Sequence, residues 1–411
     1  MSTHPAAVRR PDERRPGPRV ALLYVEPTSY ILSDIDHIRS SLPGLHFDVF
    51  FLEKNLSANW DVAVNPGARL IFEPCEGFLG RLRSLWGLLD RLDPTRYEAA
   101  LLQGYWPWPW AVILAWCRWR GLPTIMSSDT QLPVEGGPVT QAPKRGLRRT
   151  LKRAVLTRFL RLSAFFLPAG SRQWAYFAHY GVPAERMRVH HMTVNVGWFK
   201  ARAEEARADR VALRRRLGLP EDAIVLVYVG RLVARKAPSV LLEAYAKVRR
   251  EFPACRLVLV GEGPERQGLA SLAGVFGVEV RLAGFQQGLD LVDWYAAADV
   301  FVLPSLQEPW GLVINEALAC GLPVVTTDAV GAVDDLVHEG ENGYVVTAGD
   351  APALSRALRR LVSSSELRRR MGEASRRVIS GWTHKESVAA FAAALETVRP
   401  GLTSASPGDE R

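Results

Sequence analysis

From residue 19 onward the chain alternates short apolar runs rich in β-branched residues with longer stretches of helical period. That alternation is the pattern of parallel strands flanked by helices. In the amino half it predicts strands at 20–25, 48–52, 99–102, 124–126, 165–168 and 188–190. The carboxyl half repeats it at 224–229, 256–260, 278–282, 300–303, 324–326 and 343–346, with a helical pattern between each pair. Two doubly wound α/β domains follow, and such sheets bind ligands in a crevice at the carboxyl ends of their strands. The expected organisation is a disordered leader over 1–18, a first Rossmann-like domain over 19–196 and a linker over 197–222. A second Rossmann-like domain is expected over 223–382, then a helix over 383–399 returning to the first domain, and a disordered tail over 400–411.

A chain of 411 residues, 48% hydrophobic and 23% charged, exceeds the usual size of one hydrophobic core, in agreement with two domains. The leader is rich in arginine and proline and has no apolar centre, so it reads neither as a secretory signal nor as a membrane span. Cys75, Cys117, Cys255 and Cys320 are scattered among mostly apolar neighbours without a C-x-x-C pair, which favours reduced core thiols and a cytoplasmic setting over disulfides or metal. The net charge of +9 is concentrated in one segment. Residues 101–200 contain 14 Lys or Arg against 3 Asp or Glu, a net +11. Within 144–161, Lys144, Arg145, Arg148, Arg149, Lys152, Arg153, Arg158 and Arg161 occur without an intervening acid, while Leu147, Leu151, Val155, Phe159 and Leu162 recur at helical spacing. The segment reads as an amphipathic basic helix, suited either to an anionic membrane surface or ligand, or to ordinary packing with a solvated outer face. No motif or basic-aromatic interleaving points to nucleic acid.

Two segments carry candidate chemistry. After the strand at 224–229, Gly230, Arg231 and Lys236 open a loop leading into a helix near Pro238; cations beside a helix amino terminus suit a diphosphate. Taken alone, both cations fit a solvated strand end equally well. The second is Glu308-Pro-Trp-Gly-Leu-Val-Ile-Asn-Glu316, with a turn at Pro309 and Gly311 into a helix at about 311–320. Free N–H groups of Gly311 and Leu312 would face the crevice, and paired carboxylates accept hydroxyl hydrogen bonds from polyols. An ordinary helix-start acid and a solvated Glu are the alternative.

Together with Leu257-Val-Leu-Val-Gly-Glu-Gly-Pro264, Val280-Arg-Leu-Ala-Gly-Phe285 and Gly321-Leu-Pro-Val-Val325, these runs resemble the retaining glycosyltransferases of family four over about 224–382. In the amino half the resemblance rests on 170–176 and 180–186. It implies the GT-B architecture, two Rossmann-like domains facing each other across a cleft. It also implies that Arg231 and Lys236 stabilise the departing diphosphate, Glu308 lies near the transferred sugar, Glu316 holds the ribose, Gly230, Gly311 and Leu312 offer backbone to the donor, and Phe285 lodges the base. The first strand runs into Glu26-Pro-Thr-Ser-Tyr30 where relatives often carry glycines, and Asn195 replaces an aspartate common at the linker.

The implied reaction needs no metal and no cofactor. Charge developing on the diphosphate is met by Arg231, Lys236 and helix N–H groups, and no Asp-x-Asp motif stands in position to chelate an ion. The expected partners are a nucleotide-diphosphate sugar and an acceptor the sequence does not identify: a lipid-linked glycan, a lipid or a small molecule. Glu26, Tyr105 and Asp129 follow strands of the first domain and are acceptor-side candidates, with loop packing as the alternative. Gly261-Glu-Gly263 fails as a dinucleotide fingerprint, because Arg266 stands at the third glycine position. Adjacent His190 and His191 would point to opposite faces of a strand and so cannot share a metal. The expected function is retaining glycosyl transfer from a UDP- or GDP-sugar by a cytoplasmic protein, either free or peripheral on the inner face of the membrane; a nucleotide-sugar epimerase and a non-catalytic nucleotide-sugar sensor are the competing classes.

Overall fold

The computed structural model describes residues 17–54, 68–72, 77–104, 108–132 and 147–403. Among the described residues twelve strands form two six-stranded sheets. The first contains β1 (Arg19–Tyr24), β2 (His46–Phe51), β3 (Arg69–Leu70), β4 (Ala99–Gln103), β5 (Thr124–Ser128) and β6 (Phe165–Pro168), in the order β3-β2-β1-β4-β5-β6. The second contains β7 (Ile224–Val229), β8 (Cys255–Val260), β9 (Val280–Gly284), β10 (Val300–Leu303), β11 (Val324–Thr327) and β12 (Gly343–Val346), in the order β12-β11-β10-β7-β8-β9. Neighbouring strands pair in parallel throughout. Both sheets reverse direction beside their first strand, between β1 and β4 and between β7 and β10, which is where doubly wound sheets open a crevice.

The central strands are apolar along their whole length because helices cover both faces. Leu226, Val227 and Tyr228 on β7 and all four residues of β10 are buried. On the first sheet, helices Phe78–Arg91, Trp108–Arg120 and Leu147–Leu160 form one layer. Helix Ser29–Ser41 and the last helix, His384–Val398, form the other, with Phe391, Ala394 and Leu395 packed against Val20 and Leu22. A capping box between Thr383 and Glu386 starts that last helix.

Several expectations shift. Residues 188–190 are not a strand: Arg188 N–H and His190 N–H donate to Phe166 and Pro168 on β6, but a single bridge at Met187 is all that forms before the chain turns towards the second sheet. β3, two residues long, is too short to leave a period-two signal. The second and ninth strands begin two residues away from their expected starts, at His46 and Val280. Residues 196–216 fold into helices Val196–Arg207 and Arg210–Arg216, whose Ala203 and Leu213 enter the second core. Asn195 caps the first of these, accepting from Trp198 N–H at 3.0 Å, a task its side chain performs as well as an aspartate. In the basic helix Leu156 and Leu160 are buried and Phe159 and Leu162 pack on the same core, whereas Val155 is exposed, so of the expected stripe the carboxyl end holds and Val155 does not; the side chains of Leu147 and Leu151 lie outside the described residues. Lys144, Arg145 and Cys75 lie outside the described residues; Cys117, Cys255 and Cys320 are buried free thiols.

Candidate active site

The loops after β7 and β10 meet at the reversal point of the second sheet. Lys236, in a short 3-10 turn ahead of helix Pro238–Glu251, forms an ion pair with the Glu308 carboxylate, both side chains only 11% exposed. Arg235 holds the two loops together by accepting from Leu306 N–H at 2.8 Å through its carbonyl. Arg231 is exposed beside them, with its carbonyl accepting from Tyr228 Oη at 2.8 Å. The N–H of Gly230 is already donated to Val260 O at 2.9 Å, so this group is not available to a ligand. Gly261 explains the motif that failed as a fingerprint: a Cβ there would sit 1.9 Å from Gly230 O, so the glycine lets the two loops touch.

Glu308 is followed by Pro309, Trp310 and Gly311, and Gly311 adopts φ +98°, a left-handed cap that only glycine takes cheaply, at the start of helix Leu312–Ala319. Leu312 N–H is thus one of the unsatisfied amides at a helix start. Glu316 accepts from the buried Tyr295 Oη at 2.7 Å. Burial nevertheless dominates and pushes its carboxyl up to about 7, since one donor offsets only part of the lost hydration. Phe285 follows β9 directly and is exposed.

The first sheet contributes from across the cleft. Asp129, just past β5, opens to solvent inside the cleft, yet the crowded walls and then the charge of Glu308 push its carboxyl above the ordinary range. Glu26 is buried after β1. Tyr105 lies outside the described residues. Around Asp129 the carboxyl edge of β1, β4 and β5 forms a depression open to the cleft, with Tyr24, Tyr30, Asp34, Gln103 and His190 in its walls. His190 faces Asp34 at 3.6 Å, whereas His191 stacks on Trp382 at 3.9 Å, so the adjacent histidines part as expected.

Residues 209–378 match the family described as glycosyl transferases group 1. A D-inositol 3-phosphate glycosyltransferase of Thermomonospora curvata is 34% identical over 293 residues, 68% of this chain and 66% of the relative. The chain belongs to the group 1 glycosyltransferases. Another relative, the lipopolysaccharide core biosynthesis glycosyltransferase LpsE of Rhizobium meliloti, is 40% identical over 43% of this chain and 50% of its own. The chain spans about half the length of several curated relatives it matches, 54% for the D-inositol 3-phosphate glycosyltransferase of Streptomyces coelicolor. Solved structures share the whole fold at low identity. HepE of Anabaena, in complex with UDP and glucose, has TM-score 0.71 at 20% identity, covering 92% of this chain and 99% of that one. Sucrose-phosphate synthase of Thermosynechococcus elongatus has 0.68 at 21%, covering 90% and 96%.

Within this group 1 glycosyltransferase, the side chains that hold the Glu308 loop are ones the sequence did not single out. Gln131 Nε2 donates to Glu308 O at 2.9 Å, and the fully buried Gln173 donates to Pro309 O at 2.9 Å and to Asp129 O at 3.2 Å. Trp310 is buried, donates to Asn315 Oδ1 at 3.0 Å and stacks on Trp382, while Asn315 Nδ2 reaches Met192 O at 3.1 Å. The start of helix Ser171–His179 clamps the other wall. Arg172 grips Asp334 with two 2.8 Å bonds and Asp328 O with a third, and Ser171 N–H donates to Asp335 at 2.9 Å. The motif around 170–176 is therefore a contact between the two sheets' loops. Only its spatial partners reveal that role.

Proposed function

We propose that the protein is a retaining glycosyltransferase that moves a sugar from a nucleotide-diphosphate sugar, UDP- or GDP-linked, to a hydroxyl acceptor without a metal or other cofactor. The observation that carries this reading is the meeting of Lys236 and Glu308 at the crevice of the second sheet, opposite Asp129 of the first. Departure of the diphosphate develops negative charge that Arg231, Lys236 and the amides of Gly311 and Leu312 would receive. Glu308 would hold hydroxyls of the transferred sugar and Glu316, braced by Tyr295, those of the ribose. Phe285 offers a face to the base. Glu26 and Asp129 stand on the side from which the acceptor hydroxyl approaches, and front-face attack lets the leaving phosphate take its proton. UDP and glucose bound to HepE, and UDP-glucose in a further HepE complex, support the donor class. The relatives' names support acceptors ranging from a cyclitol phosphate to a lipopolysaccharide core.

Purified protein incubated with UDP-, GDP-, ADP- and dTDP-sugars tests the reading. Slow hydrolysis of one donor, unchanged by EDTA and lost in Glu308→Ala while nucleotide still binds, is the expected result. If no donor is bound or hydrolysed, the reading fails.

A further inference from the structure

The outer surface of the first domain carries an apolar face that its own core does not use. Helices Phe78–Arg91 and Trp108–Arg120 already bury Leu85, Leu88 and Leu89, and Trp110, Ile113 and Leu114, against the first sheet. The flank of the first helix beside that buried stripe, and the opposite face of the second, are apolar too. Phe78, Leu79, Leu82 and Trp86 on one, and Trp108, Val112 and Trp119 on the other, are seven of the twelve large apolar side chains exposed among the described residues. Leu79 is 79% exposed, Trp86 65% and Trp119 73%. A surface helix needs one apolar stripe, so a second one facing water indicates a further partner.

The two faces are continuous. Trp86 meets Trp116 edge-on at 5.8 Å between ring centres, and Trp116 meets Trp119 at 5.0 Å. The charges around them have one dominant sign: the two helices carry Arg81, Arg83, Arg91, Arg118 and Arg120 against the single acid Asp90. Arg81 pairs with Glu53 and Arg120 with Asp93, while Arg83 and Arg118 are exposed beside Leu82 and Trp119. The neighbouring helix of the same layer, Leu147–Leu160, adds exposed Arg153, Val155 and Arg158. Among the described residues no helix is long and apolar enough to cross a membrane. Tryptophan and leucine framed by arginine on helices lying along a surface is the composition that settles in the headgroup region of an anionic bilayer.

We propose that the face formed by helices Phe78–Arg91 and Trp108–Arg120 docks this protein on an anionic membrane surface. Because each helix follows a strand, β3 or β4, its first turn lies at the carboxyl edge of the first sheet. Phe78, Leu79 and Trp108 therefore flank the cleft, and docking brings the acceptor side of the molecule against the bilayer. The inference stands apart from the transferase reading, since it concerns attachment and is read without turnover.

The full chain is sedimented with phosphatidylcholine vesicles with and without phosphatidylglycerol, and its tryptophan fluorescence is followed with lipids brominated on the acyl chain. Binding to the anionic vesicles with quenching is expected. Trp86→Ser with Trp119→Ser should weaken partitioning about tenfold or more and remove most of the quenching. Arg83→Glu with Arg118→Glu should abolish the preference for anionic lipid. Val275→Ser, which removes an equally exposed side chain from the second domain, should bind as the unaltered chain does. All variants change exposed positions, and retained near-UV dichroism verifies their fold. Absence of binding to either vesicle, or equal binding by the tryptophan variant, overturns the proposal. So does a lipid-free dimer that the tryptophan variant converts to monomer, because a second copy would then cover the face.

Discussion

Replacing Glu316 with glutamine should make the ligand-free protein more stable at pH 8 and leave it unchanged at pH 4. The carboxyl titrates at about 7 when folded and near 4.5 when unfolded. Between those values the folded chain retains a proton that the unfolded chain has lost, so stability falls as pH rises through the window and is level above it. The displacement corresponds to about 3 kcal/mol at full burial. Glu316 is only partly shielded, and water reaching it from the cleft lowers the figure to about 2 kcal/mol. Glutamine keeps an oxygen to accept from Tyr295 and carries no charge to strand. His384 imposes the opposite slope: burial depresses it to about 4, so stability is lost as pH falls from 6.5 towards that value. The observable is therefore the difference between variant and parent melting temperatures at each pH, in which His384 cancels. That difference should grow by several degrees between pH 4.5 and 7 and then flatten. A level difference, or a variant less stable than its parent at pH 8, would refute the account of Glu316 as a charge held in an under-hydrated place.

Gly331→Ala places a Cβ 1.8 Å from Pro309 O, so the Glu308 loop must move; thermal stability and donor hydrolysis should fall together, the latter about tenfold or more. Lys236→Ala leaves a shielded carboxylate without its cation and should lower stability by about 3 kcal/mol by chemical denaturation, with Glu308→Ala added to it restoring part of the loss. Hydrolysis of donor by Lys236→Ala should drop by about 10². Arg172→Ala removes three bonds between the two halves, and X-ray scattering should show a larger radius of gyration while each sheet keeps its protection from hydrogen exchange. Unchanged scattering would mean that the remaining contacts, at Gln131, Gln173 and Ser171 among them, hold the halves without Arg172.

The carboxyl half was readable because its chemistry is local. Gly230 to Lys236 and Glu308 to Glu316 each lie within nine residues, next to strands whose β-branched runs are unambiguous. What escaped was either too short or too distant. β3 contains two residues. Gln131 and Gln173 matter only through carbonyls 177 and 136 positions away along the chain. In the basic helix the spacing singled out Val155 with Phe159 and Leu162 but not Leu156 and Leu160, and only packing against the first sheet shows that the last two are the buried ones while Val155 faces water. The exposed tryptophans were legible as aromatic residues, but which faces they occupy depends on the strands beneath them.

The return of helix His384–Val398 has a consequence for the order in which the molecule is made. Val20, Leu22 and Leu101 leave the ribosome nearly three hundred residues or more before Phe391, Ala394 and Leu395, which shield them. The second sheet, continuous in sequence from Ile224 to Val346, can close while synthesis continues. The first sheet must wait with one side uncovered, so nascent chains stopped just before residue 384 should depend on a chaperone that chains extended past Val398 release.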